Sequence, residues 1–152
     1  MRKLAVLPVF ALAALRVFGQ GTVIYDQQSA VEGASSESGG IITTSQPFGQ
    51  SFTPTFSSVG FIRLWVSDLA GGNGIGSTVS VNLRAGSITG PILTSTDPVF
   101  LPDAFGNGPG NRGYPDFFFS TPATVTPGAT YYFQPVLLSG DALLVFGDST
   151  YG

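Results

Sequence analysis

Apolar and polar residues take turns along most of this chain after its first twenty positions. The run SVGFIRLWVSD (58–68) sets Ile62, Leu64 and Val66 on one side of an extended backbone and Phe61, Arg63 and Trp65 on the other. STVSVNLRAG (77–86) repeats the pattern, with Val79, Val81 and Leu83 opposed to Ser80, Asn82 and Arg84. FGQSFTP (48–54) alternates Phe48, Gln50 and Phe52, and GTVIYD (21–26), GPILTST, PVFLPD, FFFS, TYYFQPVLLSG and DALLVFGD supply further short extended runs. No stretch beyond the first twenty residues holds a 3.6-residue period for long. The spacing predicts eight or nine short strands about ten residues apart, hence an all-β, antiparallel two-sheet sandwich. Its inward faces should take up most of the 13 phenylalanines, and Trp65, which alternates with Phe61, reads as packing first, with a ring presented to a sugar as the alternative.

The connections are marked by small and turn-forming residues. QQSAVEGASSESGGIITT (27–44) reads as a surface loop, FGNGPGNRGYPD (105–116) as a long glycine-rich loop, and TPATVTPGAT as a connection with a type II turn at Pro127-Gly128. The two alternating runs on either side of GGNGIG (71–76) read as a hairpin. That glycine run is not a dinucleotide cradle: neither register places the third glycine, and a strand follows where a helix is required. It matches the start of a calcium-binding repeat at Gly71, Gly72 and Gly74, but Gly76 stands where the carboxylate should be and only one copy exists. A turn needs no more than glycine and Asn73, which accept positive φ.

The first nineteen residues differ from the rest. Arg2 and Lys3 precede an apolar run from Leu4 to Leu15, and Gly19 offers a cleavage position, the pattern of a secretory signal peptide too short to span a bilayer. The expectation is a signal at 1–19, a sandwich domain over 20–152 and no membrane span in the mature chain. Removal of the signal leaves Arg63, Arg84 and Arg112 against nine carboxylates, a net charge of −6. Such a chain is ill suited to nucleic acid or to an anionic membrane. The sequence has no cysteine and no histidine, which removes Cys/His zinc sites, Ser-His-Asp triads and Cys-His nucleophiles.

Candidate chemistry is therefore sparse. Asp103 and Asp116 bracket the long loop and are the pair a carboxylate-dependent glycosidase or lyase would use. The same loop offers Tyr114 to stack on a sugar, with Arg112, Asn107 and Asn111 as hydrogen-bonding neighbours. No cofactor is expected, although oxygen ligands could hold a structural calcium ion, with Asp26 and Asp148 as further candidates.

Three segments carry a resemblance: GQSFTPTFSSVGFIRLWVSD, GSTVSVNLRAGSITGPIL and FFFSTPATVTPGATYYFQPV. They resemble successive strands of an exported bacterial domain typical of proteins with a PEP-CTERM sorting signal, over roughly residues 21–148. The resemblance implies a jelly-roll-like sandwich related in outline to carbohydrate-binding modules, and it carries over no catalytic residues. The sequence ends at GDSTYG without a Pro-Glu-Pro motif, apolar helix or basic tail; the expectation is a form cut short or released, with a closing strand missing. The function expected is a non-catalytic surface-binding module of the cell exterior for extracellular polysaccharide. The alternatives are a structural coat or adhesion component, and a carboxylate-dependent enzyme.

Overall fold

Extended backbone accounts for every regular element among the described residues, 24–26, 38–107 and 113–147 of the computed structural model. Ten strands form: β1 (Ser38–Ile41), β2 (Gln50–Phe52), β3 (Ser58–Arg63), β4 (Trp65–Asp68), β5 (Ser77–Ala85), β6 (Ile92–Ser95), β7 (Val99–Leu101), β8 (Asp116–Thr124), β9 (Tyr131–Gly140) and β10 (Leu143–Gly147). All their pairings are antiparallel. Among the described residues no helix is long and apolar enough to cross a membrane. The expected signal, residues 1–19, and the start of the strand expected over 21–26 lie outside the described residues.

The ten strands occupy eight positions. β3 and β4 are one run, interrupted at Leu64, and the chain leading into β8 follows it closely. The Leu64 N–H donates to the Pro115 carbonyl at 3.3 Å, and the Val66 N–H donates to that of Gly113 at 2.8 Å. This run joins the order β1-β10-β4 to the pair β3-β8, making one sheet. The second sheet is β2-β9-β5-β6. β9 takes one whole edge of β5, so β6 and β7 share the other, paired with Asn82–Arg84 and Ser77–Val79 respectively. Along the chain the positions alternate between the sheets except at β5 and β6/β7, which are neighbours in the second: first β1, second β2, first β3/β4, second β5 and then β6/β7, first β8, second β9 and first β10. That is the strand order of a jelly roll.

The inward faces are those the alternation predicts. Ile62, Leu64, Val66, Phe117, Phe119, Leu143 and Val145 of the first sheet meet Val79, Val81, Leu83 and Tyr131 of the second, all buried. Fully burying one such side chain stabilises the fold by about 1.5–3 kcal/mol before chain entropy is charged. One long side of the sandwich is stitched shut: the Asp97 N–H, just past β6, donates to the Phe118 carbonyl of β8 at 2.9 Å. At the β9–β10 connection Gly140 has φ of +90°, and an added Cβ there would meet the Gly76 carbonyl oxygen, so only glycine fits this corner.

Six expectations need correction. The glycine run 71–76 is not a hairpin, because β4 and β5 belong to different sheets and pair with β10 and β9 instead. Two half-buried runs around a turn look the same in sequence whether the chain folds back beside itself or crosses the core. β1 forms inside the segment read as loop, and β8 continues through residues 120–124, tolerating Pro122. Ile24–Asp26 is not strand but a strap against the outer face of β3. The phenylalanines divide almost evenly among the described residues. Phe48, Phe52, Phe105, Phe117, Phe119 and Phe133 pack into the core, whereas Phe56, Phe61, Phe100, Phe118 and Phe146 do not. Trp65 is likewise outside the core, half-buried on the outward side.

Candidate functional site

The outward face of the β3/β4 run carries Phe61, Arg63, Trp65 and Ser67 in a row, each two residues from the next. Neighbouring strands bring a ring or a polar group to each. Register places Phe146 of β10 opposite Trp65, and the two rings stack with centroids 4.3 Å apart. On the other side Tyr114 stacks on Trp65 at 5.7 Å, held there because Gly113 bridges to Val66. Phe146 in turn lies over Gly39, its partner on β1, where an added Cβ would come within 3.1 Å of the ring. Phe61 packs against Phe118 of β8 at 5.6 Å and receives the edge of Tyr25 at 5.3 Å. Offset and edge-to-face pairs of this kind each stabilise by about 0.5–1.5 kcal/mol beyond area burial.

Arg63 lies between the two aromatic groups. Its Nη1 donates to the Tyr25 hydroxyl at 3.1 Å and stands 3.7 Å from Asp116 Oδ1, while its guanidinium sits 5.5 Å from the centre of the Tyr114 ring. Tyr25 is brought here by Asp26, whose carboxylate accepts from the Thr55 hydroxyl, from the Thr55 N–H at 2.7 Å and from the Phe56 N–H at 3.4 Å. The Thr55 hydroxyl first, and then the two backbone N–H groups, hold the Asp26 carboxyl below its ordinary value against a smaller opposing effect of burial.

Alongside this row runs a groove of about 460 Å³. It follows residues 58–65 on the side where β10 no longer pairs, since the described β10 residues reach β4 but not β3. Phe52 and Phe133 of the second sheet wall it opposite, and Asp26, Gln50 and Arg63 put polar atoms among the rings. A concave, mostly apolar surface with a few directed polar groups is the usual form of a small-molecule or saccharide site.

The residues picked from the sequence divide between two places. Tyr114 and Asp116 belong to the groove side, and Asn107 reaches the far end of the same row, accepting the Ser67 hydroxyl at 2.5 Å. Asp103 does not join them. Its two oxygens accept the N–H groups of Gly72 (2.8 Å) and Gly74 (2.7 Å), which is what the glycine run is for: Gly72 and Gly74, at φ of +97° and +82°, turn their N–H groups onto one carboxylate. Asp103 adjoins Ala104, which is tied to Asp68 at the end of β4, whereas Asp116 pairs with Arg63, about 16 Å back along the same run, so the two do not face each other across one sugar. Arg112, Asn111 and Asp148 lie outside the described residues. Among the described residues no three acidic side chains gather closely enough to hold a metal ion.

The Gly72 N–H first, and then that of Gly74, hold the Asp103 carboxyl below its ordinary value. Folding lowers this pKa, so the contact stabilises the loop above the unfolded carboxylate value of about 3.9, and that contribution is lost as pH falls through the lower folded value. The amide proton shifts of Gly72 and Gly74 are expected to titrate together in that acid window. Shifts that stay constant through it would contradict the clamp.

Arg63, Phe146, Gln50 and Tyr25 were not picked out from the sequence. For Arg63 a signal existed, a cation alternating with Phe61 and Trp65 on a face that should meet water. No family model matches the chain, and no curated protein or solved structure matches it either.

Proposed function

We propose that the chain is an exported, non-catalytic binding module that takes a neutral or weakly charged polysaccharide of the cell exterior into the groove beside β3. The observation that carries this reading is the outward aromatic row, in which Trp65, Tyr114, Phe146 and Phe61 stand on the wrong face for a core and line a concavity with Arg63. The apolar C–H faces of a pyranose displace water from such rings, and its hydroxyls find a donor in Arg63 and both donor and acceptor atoms in Gln50. Because Arg63 is already within 3.7 Å of Asp116, its charge is partly balanced before any ligand arrives, so the groove does not call for an anionic sugar. Export draws on the signal pattern of residues 1–19.

Isothermal titration of the purified domain against soluble polysaccharides tests the reading, with Trp65→Ala as the control. A central aromatic anchor of this kind is worth about 2 kcal/mol or more, so the variant is expected to bind roughly thirtyfold more weakly while keeping its circular dichroism spectrum. Equal affinity of the two proteins for every glycan that binds would remove the groove from consideration.

A further inference from the structure

Asn73 and Gly74 lie at the exposed tip of the crossover between β4 and β5. A glycine after an asparagine leaves the backbone nitrogen open to approach by the preceding side chain, because no Cβ shields it. Three hydrogen bonds hold the two groups that would meet. The Gly74 N–H donates to Asp103 Oδ2 at 2.7 Å; Asn73 Oδ1 accepts from the Ile75 N–H at 2.8 Å; Asn73 Nδ2 donates to Asp141 Oδ2 at 2.6 Å.

We propose that Asn73-Gly74 is a site of spontaneous cyclisation that the folded loop holds shut and that, once used, does not close again. In the reaction the Gly74 nitrogen bonds to Asn73 Cγ, the Cγ–Nδ2 bond breaks, and ammonia leaves with the amide proton. Water then opens the five-membered imide at either carbonyl, leaving aspartate or isoaspartate at 73. The ring closure needs the backbone N–H to give up its proton, and a carboxylate 2.7 Å away makes that anion costlier. The bonds to Ile75 and Asp141 fix the carboxamide at both its oxygen and its nitrogen, so reaction requires the loop to open first.

The product differs from the reactant where it matters. A carboxylate at 73 would face Asp141 in place of the amide that donated to it, beside the Asp103 charge that clasps Gly72 and Gly74. Like charges in contact repel, and aspartate has no side-chain N–H to restore the bond. Conversion therefore removes the tie to Asp141 and sets like charges against each other, a one-way loosening of the crossover at one end of the sandwich.

Peptide mapping by mass spectrometry after incubation in mildly alkaline buffer reads the conversion directly. Folded wild-type protein is expected to convert at Asn73 at least roughly tenfold more slowly than the same protein in urea, since opening is needed first. Folded Asp103→Ala, with its fold checked by circular dichroism, should convert roughly tenfold faster than folded wild type, the effect of losing charge-assisted bonds to the loop. Asp141→Ala serves as a second variant, because the 141 backbone carbonyl keeps its bond from the Ser77 hydroxyl. Asn73→Asp, one of the two products, should show faster hydrogen exchange at Gly72 and Gly74. Equal conversion in folded and unfolded wild type, or folded variants converting at the wild-type rate, would overturn the protection. Unchanged exchange in Asn73→Asp would overturn its one-way character.

Discussion

Replacing Phe117 by alanine is expected to cost about 3–5 kcal/mol of folding stability, a large part of the roughly 5–15 kcal/mol that holds an ordinary domain together. Phe117 has no accessible surface and points inward from β8, opposite Ile62 of β3, where both sheets close over it. Alanine would forfeit the ring's transfer from water and leave a cavity that two hydrogen-bonded layers cannot collapse to fill. The adjacent Phe118 makes an internal control. It has the same chemistry and the same strand, but points outward and is 49% exposed, so Phe118→Ala should cost only about 1–2 kcal/mol, for half a ring's burial and the Phe61 contact. Urea unfolding followed by circular dichroism measures both. Equal losses would mean that β8 does not present alternate residues to opposite faces.

Asp68→Ala is the second large effect, expected at about 2–5 kcal/mol from the donors it would strand. Asp68 ends β4 on its inward side and is buried, 5% exposed. Its carboxylate accepts the Ala70 N–H at 2.9 Å and the Ala104 N–H at 2.8 Å, tying the chain that leaves β4 to the loop that follows β7. Alanine would take the carboxylate from both N–H groups, and a hydrogen bond to a charged group contributes about 1.5–3 kcal/mol. Asp68→Asn should lose less, because its remaining carbonyl oxygen still accepts one of the two. Hydrogen exchange at Ala70 and Ala104 reads the cause: both amides should lose protection in the alanine variant, one in the asparagine variant. Protection that survives in both would show that these donors have another partner.

The inward rows of this fold were legible because burial imposes a period of two that few other constraints disturb. Ile62, Leu64 and Val66, and Val79, Val81 and Leu83, stand where the alternation put them. Partner choice was not legible. Whether the chain after Asp68 turns back beside β4 or crosses to the other sheet depends on β9 and β10, which lie far along the chain from it. β1 was missed for a related reason: Ser38, Gly39 and Gly40 have little strand character of their own, and an added Cβ at Gly40 would run into the Phe48 ring. The candidate site was half legible. Tyr114 and Asp116 could be picked as loop residues with useful chemistry, but Trp65 reads as core in any pattern that pairs large aromatic residues with burial. Only the three-strand register, which sets Phe146 and Tyr114 on either side of it, reveals an outward stack. Asp103 was picked for the chemistry of carboxylates, yet it serves as an internal counter-charge to the turned amides of the glycine run.

Trp65 is the chain's sole tryptophan, and it lies in the wall of the groove rather than in the core. Its ultraviolet emission is thus an intrinsic optical probe of the outer surface, responsive to whatever displaces water there and largely blind to the packing between the sheets. The same indole reports an arriving molecule without any attached dye, while far-ultraviolet dichroism follows the backbone separately, so occupancy and unfolding are distinguishable in a single cuvette.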